Sequence, residues 1–499
     1  MSGDAAPAAP GQGPAATLFL FTVWQSFCTS GIVFGWTPLL MLLKKEGVYA
    51  SKCPEGVEEC SDRDVALNLM FTIGAIANIF GGVVGGPIPF PKFGLALGVM
   101  LVFVGSITLA FADPQSEFAF PFAYVCHGLG GGIVHFGAMS VGYIFGPHRG
   151  YIMACLAGCL GFSSMVFQIF YALYNSGISR QALFLVHAAI LLFNAAGSLY
   201  LWPLHPFRAG DLLAYEKGRM VVVHAASSLS AAGGRVRASW QQIYKAGMNT
   251  PFACFLVFLS CQLLFSRCLM GMFSAELDWK NELLEERGES KLDNDLHLTL
   301  FNMSQAMLGS TMIPMFGIIA SRWGHRAGPA FATGVLSVMW LGCLLIPAVW
   351  PLYIMYFFAG WHRQFFFATF LNIMTSEYPP EVYGKLLPFV NIMTGVIVAL
   401  QNPLLSFTLN DLDGNFYPML IFMAVLAAAL TVVAGGVLVL ERRAPAAAAA
   451  AAAKEKEEEE EEEEQAGKVE EKKGNNPALE EVEENANEDD TPPIPVAAA

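Results

Sequence analysis

Two arginines in long apolar runs are the residues of this chain best suited to bind an anion. Arg267 and Arg363 each lie about halfway along a stretch long enough to cross a bilayer. A charged side chain at bilayer depth costs roughly 2.5–3.5 kcal/mol on insertion scales, so such residues are functional by default. An arginine keeps its charge inside proteins and therefore needs water, a partner or an anionic ligand.

The apolar runs are expected to contain no deep carboxylate that could neutralise these arginines. Glu276, Glu377 and Asp113 are predicted to lie at the ends of helices. A ligand carboxylate is then the natural partner, because a guanidinium binds it through two parallel hydrogen bonds. The alternative is that each arginine bonds backbone carbonyls of a broken helix and has a structural role.

The composition indicates a membrane protein. Of 499 residues, 55% are hydrophobic and 14% are charged, whereas a soluble domain has about 25% charged residues. Residues 444–499 hold 18 acids and 5 bases, so the remainder is nearly neutral although the whole chain carries −14. A soluble enzyme, a nucleic-acid binder and a disulfide-rich secreted domain are therefore disfavoured. The sequence also has no H-E-x-x-H motif, paired intramembrane Asp or nucleophile elbow, so no enzyme, metal site or cofactor is expected.

Apolar stretches of bilayer length predict twelve transmembrane spans. They lie near residues 17–43, 65–86, 94–112, 118–145, 151–174, 181–203, 251–275, 296–320, 327–350, 352–377, 384–408 and 417–440. The loop 204–250 is rich in Lys and Arg, which places it in the cytoplasm together with both termini. The predicted organisation is a disordered lead (1–16), a six-helix bundle (17–203), a cytoplasmic linker (204–250), a second six-helix bundle (251–443) and a disordered acidic tail (444–499).

An all-α fold with twelve spans in two six-helix pseudo-repeats is the layout of the major facilitator superfamily. The superfamily motif G-x-x-x-D-[RK]-x-G-[RK]-[RK] resembles the stretch from Gly317 to Arg326, where Ser321 replaces the acid. The earlier copy keeps only Pro91-Lys92-Phe93-Gly94. Because both acids are missing, the gating ion pairs of the superfamily are not expected. The candidate gating residues on the inner face are Arg149, Arg322, Arg326 and Lys385.

Several stretches resemble the sodium-independent, L-type neutral amino acid transporter branch and the related amino acid transporters of apicomplexan parasites. They include Gly31-Ile-Val-Phe34-Gly35-Trp36, Phe71-Thr72-Ile-Gly74 with Asn78, Ile144-Phe145-Gly146-Pro147, Ser163-Ser164-Met-Val166-Phe167 and Tyr378-Pro379-Pro380-Glu381. The resemblance implies a carrier of amino acids, neutral and large or aromatic, that works by alternating access as a facilitator or exchanger. Open alternatives are a carrier of another small organic anion and a receptor that binds solute without moving it.

The candidate substrate-binding residues combine the two arginines with polar and small residues of the predicted spans. They are Arg363, Arg267, Gly31, Phe34, Gly35, Asn78, His135, Ser163, Ser164 and Phe367. Arg363 is expected to be the main carboxylate anchor, with Arg267 second. The expected partners are a small-molecule substrate and the lipid bilayer, most simply the plasma membrane, with no nucleic acid; the oligomeric state is left open.

Cys53 and Cys60 differ from the other cysteines because they share one polar loop on the predicted outer face. An oxidising space permits a disulfide there. Spacing alone does not decide whether the bond forms.

The charge distribution predicts that both termini and the central loop face the cytoplasm. Epitope tags at Ser2, within residues 225–235 and after Ala499 should all be inaccessible to antibody in unpermeabilised cells. Permeabilised cells provide the positive control. Surface labelling at any one of the three sites would contradict the twelve-span topology.

Overall fold

The computed structural model describes residues 12–57, 60–85, 90–205, 207, 212–216, 219–223, 250–309, 311–324, 326–377 and 380–440. The predicted tail 444–499, residues 1–11 of the predicted lead and most of the predicted linker lie outside these ranges.

The part of the chain before the linker is built from helices. Two of its predicted spans, 17–43 and 151–174, are each divided into two helices. The helices are α1 (Gln12–Thr29), α2 (Trp36–Lys45), α3 (Ser61–Gly85), α4 (Pro91–Phe111), α5 (Ala119–Ala138), α6 (Arg149–Phe162), α7 (Met165–Asn175) and α8 (Arg180–Leu201). Short 3₁₀ segments cover Ile32–Phe34, Ala50–Lys52 and Met139–His148.

The part after the linker follows the same plan. Its helices are α9 (Thr250–Glu286), α10 (Asn294–Met303), α11 (Ile313–Trp323), α12 (Ala327–Leu344), α13 (Trp350–Glu377), α14 (Pro380–Val398), α15 (Gln401–Asn410) and α16 (Tyr417–Leu440). A π-helical turn, Ser304–Leu308, continues α10.

The helical fold class is confirmed for the described residues, whereas the count of twelve spans stays a prediction. Nine helical stretches are long and apolar enough to cross a membrane within the described chain. The predicted spans 17–43, 296–320 and 352–377 are not among them. The first two are interrupted by the 3₁₀ and π turns, and the third is one helix, α13, that carries several polar residues.

A short two-stranded hairpin in the linker is a small addition to the helical fold. Strands β1 (Leu212–Glu216) and β2 (Arg219–Val223) pair antiparallel, with Leu212 opposite Val223 and Glu216 opposite Arg219. The valines that end β2 favour extended backbone because branching at Cβ restricts their side chains in a helix. Only two residues separate the strands in the sequence, which is the commonest length of a hairpin loop.

The boundary of the predicted lead is also corrected, because α1 begins at Gln12 and not after residue 16. Pro14 lies in the first turn, where the missing N–H of a proline removes no helical hydrogen bond. Ala15 and Ala16 follow it, and alanine is the strongest helix former. The absence of charge in this segment does not prevent a helix.

Glycines allow α3 and α5 to approach closely. A side chain at Gly128 would overlap the carbonyl oxygen of Gly74, and one at Gly132 would overlap the carbonyl oxygen of Asn78. The two glycines lie four residues apart on α5, so both face the same neighbour. This is the small-residue packing typical of membrane helices.

We predict that Gly128→Ala destabilises the protein although alanine favours a helix by about 1 kcal/mol over glycine. The added methyl group must displace the backbone of α3, and overpacking costs about 1–3 kcal/mol. The matched control is Gly342→Ala in α12, where the methyl group would meet no atom within 4 Å. Thermal melting of the purified protein should show a lower Tm for the first variant and an equal or higher Tm for the second. Equal behaviour of both variants would contradict the packing argument.

Candidate ligand-binding cavity

A cavity with an empty volume of about 500 Å³, including its open mouth, lies between the two parts of the chain that flank the linker. Helices α3, α5 and α6 contribute to its wall from one side, and α9, α13 and α14 from the other. The wall is formed by Asn78, Ile79, His135, Phe136, Leu160, Leu259, Leu263, Arg267, Phe366, Phe367, Phe370, Val390, Asn391 and Thr394. Four predicted site residues line it: Asn78, His135, Arg267 and Phe367.

Both arginines contact the ring of Phe34. The guanidinium carbon Cζ of Arg267 lies 3.8 Å from the ring centroid, and that of Arg363 lies 5.2 Å from it. A guanidinium over an aromatic face is attracted by the quadrupole of the ring. The three side chains are 3%, 1% and 0% exposed for Arg267, Arg363 and Phe34 respectively. The contact joins α9 and α13 to the 3₁₀ turn between α1 and α2.

Several guanidinium nitrogens have no hydrogen-bond partner among the described residues. They are Nε of Arg267 and both Nη atoms of Arg363. A buried donor without a partner costs about 1–3 kcal/mol, and more when it is charged. No Asp or Glu belongs to the cavity wall in the described chain. The unpaired positive charge of the two arginines therefore favours binding of an anion.

The structure gives the two arginines different access to the cavity. Arg267 forms part of the wall, whereas Arg363 is not a lining residue and is shielded together with Phe34. Sequence reasoning ranked Arg363 first. Hydropathy locates both arginines at the same depth but does not show which one faces open space.

Glu276 is not at a helix end, which corrects the sequence expectation. It lies inside α9, which extends past the predicted span 251–275, and it is 2% exposed. Its Oε1 atom has no hydrogen-bond partner among the described residues. It follows Arg267 by nine positions in the helix, which is about 14 Å along the axis. Glu276 is therefore too far away to neutralise that arginine.

Gly31, Gly35, Ser163 and Ser164 hold the interruption between α1 and α2 in place. The backbone N–H of Gly31 donates to Oγ of Ser163 at 3.1 Å. A side chain at Gly35 would overlap the carbonyl oxygen of Ser164, and one at Gly31 would overlap that of Leu160. Close contact with α6 and α7 thus fixes the backbone that carries Phe34. Direct ligand binding by these four residues stays a prediction.

Asn78 and the phenylalanines contribute a polar and an apolar part of the wall. Asn78 donates from Nδ2 to the carbonyl oxygens of Ser30 and Gly128, both at 3.2 Å. Phe367 lies against Phe366, with the ring centroids 5.0 Å apart in an edge-to-face arrangement. The cavity therefore offers both hydrogen-bonding groups and large apolar rings.

The predicted gating residues are not brought together by the described contacts. Arg322 and Arg326 have exposed side chains near the junction of α11 and α12. The side chains of Arg149 and Lys385 lie outside the described part of the structure. A gating function for these four residues stays a prediction.

Sequence reasoning missed an ion-pair cluster that links the two parts of the chain. Nζ of Lys45, at the end of α2, lies 2.9 Å from Oδ2 of Asp295 in α10. The hydroxyl of Tyr171 donates to the same oxygen at 2.7 Å, and Lys45 also donates to Tyr171 at 2.6 Å. The available signal was a basic residue just after the first predicted span and an acidic one just before the eighth.

The Lys45–Asp295 pair changes the titration of both groups. Burial alone would raise the pKa of Asp295, but hydrogen bonds from Lys45 and Tyr171 outweigh it and lower that pKa. Burial alone would lower the pKa of Lys45, but Tyr171 and Asp295 outweigh it and raise that pKa. The pair therefore stays charged around neutral pH and is lost as the pH falls through the lowered pKa of Asp295.

Two amide pairs lie deeper along the same junction. Nδ2 of Asn302 in α10 donates to Oε1 of Gln168 in α7 at 3.2 Å. Nε2 of Gln401 in α15 donates to Oδ1 of Asn68 in α3 at 3.1 Å. The amide pairs and the ion-pair cluster together close one end of the junction between the two parts of the chain.

The loop at the closed end contains a disulfide between Cys53 and Cys60, with the Cα atoms 5.6 Å apart. Lys52 beside it pairs with Glu117 at 2.6 Å. The hydrogen bond from Lys52 lowers the pKa of Glu117. This loop is thus covalently and electrostatically tied at the face that the charge distribution predicts to be outer.

We predict that reversing one charge of the Lys45–Asp295 pair lowers the Tm and that reversing both restores it. The side chains are 41% and 52% exposed, so the pair contributes only about 0.2–1 kcal/mol. Asp295→Lys or Lys45→Asp should lower the Tm by about 1–3 °C at pH 7, and the double variant should recover most of the loss. A double variant that loses as much as the two single variants combined would contradict a direct interaction.

Comparisons with known proteins agree on the fold and differ on the solute. No protein-family model matches the chain. The chain is 23% identical over 431 residues to equilibrative nucleobase transporter 1 of Bos taurus, which covers 76% of this chain and 86% of that protein. It is 26% identical over 225 residues to the large neutral amino acids transporter small subunit 3 of Homo sapiens, with 39% of each chain covered. It is 21% identical to arginine transporter 1 of Toxoplasma gondii, and the match covers 81% of this chain and 84% of that protein.

The three-dimensional comparison extends this similarity to a solved structure. A proton:xylose symporter of the major facilitator superfamily, bound to 6-bromo-6-deoxy-D-glucose, matches with a TM-score of 0.54 at 14% identity. The match covers 84% of this chain and 94% of the symporter. The expected resemblance is therefore confirmed, and the relatives are transporters and not enzymes. The chain is a multi-pass integral membrane protein with the major facilitator fold, and the relatives named above are transporters.

Proposed function

We propose that the protein carries neutral amino acids with large or aromatic side chains across a membrane by alternating access. The observation that carries this proposal is Arg267, a buried cation on the wall of a cavity in which no described lining residue is acidic. A substrate carboxylate supplies the missing negative charge through two parallel hydrogen bonds.

The remaining groups of an amino acid have counterparts on the wall. Asn78 uses Nδ2 for two backbone carbonyls, which leaves Oδ1 as the acceptor that it can offer to an α-ammonium group. Phe366, Phe367 and Phe370 surround the remaining space with aromatic rings. Apolar lining with a few polar groups is typical of sites that bind small molecules by orientation and shape.

The charge of the cavity disfavours a cationic side chain, although one relative is an arginine transporter. A second cation beside Arg267 would meet a like charge, and the described wall offers no carboxylate to balance it. Repulsion between like charges is strong where water is excluded. The proposed substrate class is therefore neutral.

A nucleobase is the second candidate. It is favoured by the cluster of three phenylalanine rings, on which a planar base can stack, and by the nucleobase transporter among the relatives. A nucleobase has no carboxylate, so its transport should not require a guanidinium in the same way. A carrier of another organic anion would require the arginine but not an α-ammonium group.

We further propose facilitated diffusion or exchange in the plasma membrane, with both termini and the linker in the cytoplasm. The basic linker supports this orientation. A competition panel of the twenty amino acids, adenine and simple dicarboxylates against reconstituted uptake would separate the substrate classes. Binding without uptake into proteoliposomes would indicate a receptor.

We predict that Arg267→Ala weakens binding of L-phenylalanine about tenfold to a hundredfold. Hydrogen bonds to charged groups contribute ~1.5–3 kcal/mol, and ~1.4 kcal/mol is a tenfold change in affinity. Arg267→Lys should restore only part of the loss, because an ammonium lacks the bidentate fork. Binding is measured on purified, monodisperse protein.

The control ligand is L-phenylalaninamide, which should bind the wild type poorly and the variant no worse. The control variant is Arg287→Ala, which removes an exposed guanidinium just after the end of the same helix, where it donates to the carbonyl of Pro347. That variant should leave ligand affinity unchanged. Full retention of the preference for the free carboxylate by Arg267→Ala would show that the anchor lies elsewhere.

A further inference from the structure

We propose that the side chain of Phe34 is a shutter that separates the cavity from Arg363. When it swings away, Arg363 joins Arg267 in binding one substrate carboxylate. The inference rests on the proposed function, because it assigns a second cation to the same anion. It also gives a role to Arg363, whose guanidinium is outside the cavity wall.

The burial of Arg363 leaves its charge poorly compensated in its present surroundings. Its side chain is 1% exposed, and both Nη atoms lack hydrogen-bond partners among the described residues. An unpaired charge away from water is strongly disfavoured. Its described compensation is the ring of Phe34 at 5.2 Å, and a cation–π contact replaces only part of what a carboxylate provides.

The backbone that carries Phe34 is held by its neighbours, so that a movement of this residue is a movement of its side chain. Its backbone lies in a single 3₁₀ turn, Ile32–Phe34, bounded by glycines on both sides. Contacts of Gly31 and Gly35 with the backbone of α6 and α7 hold that turn in place. The mobile part is therefore the side chain, which has discrete rotamers separated by rotation about χ1.

The position of the ring makes it a competitor for the ligand. Both guanidinium groups lie against it, Arg267 at 3.8 Å and Arg363 at 5.2 Å from its centroid. The volume that the ring occupies is thus the volume next to both cations. A carboxylate placed there meets two positive charges, and the repulsion between the arginines is offset at the same time.

If the ring of Phe34 competes with the ligand, removing the ring should increase the affinity for the ligand. If the form with the shutter closed binds much more weakly, through Arg267 alone, the apparent dissociation constant is close to the intrinsic one divided by the fraction of molecules with the shutter open. Deleting the ring raises the fraction and should tighten binding. A residue that merely supports the fold would weaken binding when it is deleted.

The test is a double-mutant cycle with L-phenylalanine as the probe, measured by binding to purified protein. Phe34→Ala should tighten binding about tenfold, the result of an open fraction near one tenth in the wild type. Arg363→Gln should weaken binding. In the Arg363→Gln background, Phe34→Ala should change affinity by less than about twofold, because the second cation is missing.

Further variants separate a shutter from a loss of packing. Phe34→Leu keeps an apolar side chain but loses the aromatic face, so it should tighten binding by a smaller factor that also depends on Arg363. Phe184→Ala removes an equally buried ring of α8 that contacts Phe167 and Phe170 edge to face and has no described contact with either arginine. It should lower the Tm without tightening binding.

The outcomes distinguish this inference from the proposed function. Absence of carboxylate-dependent binding in the wild type would overturn the proposed function. Carboxylate-dependent binding that Phe34→Ala and Phe34→Leu both weaken, or that Phe34→Ala tightens equally without Arg363, would overturn the shutter alone.

Discussion

Uncompensated positive charge in an apolar interior is the constraint on which the rest of this structure depends. Arg267 and Arg363 cannot release their protons, and Glu276, the first acidic residue after Arg267 on α9, lies well away from it along the helix. The surrounding structure therefore supplies other stabilisation, a shared aromatic face and an adjoining cavity. The interrupted first span, the glycine contacts behind it and the acid-free wall all follow from the need to present that face and that space.

The sequence contained much of this arrangement. Hydropathy located both arginines inside spans, and Gly31 and Gly35 were among the candidate site residues. Sequence could not reveal that one ring, Phe34, serves both arginines, because the contact joins segments more than two hundred residues apart. It also could not rank Arg267 above Arg363, since hydropathy reports depth and not the direction of a side chain.

The differences between the expected and the observed ends of helices and strands have a common cause. Glu276 was assigned to a helix end because apolar composition falls off there, yet α9 continues through polar sequence where its neighbours still bury it. The linker hairpin was missed because transmembrane patterning says nothing about short extended segments between spans. Membrane spans are defined by lipid, whereas helices end where hydrogen bonding and packing end.

The two amide pairs have a consequence for how this chain arose. Asn68 and Asn302 occupy the second and eighth predicted spans, and Gln168 and Gln401 occupy the fifth and eleventh. Each asparagine meets the glutamine from the opposite half. A six-helix ancestor that assembled as a twofold-symmetric dimer would make both contacts from a single asparagine and a single glutamine. After tandem duplication of such a gene and divergence of the two copies, the two Asn–Gln contacts would be what remains of the original subunit interface.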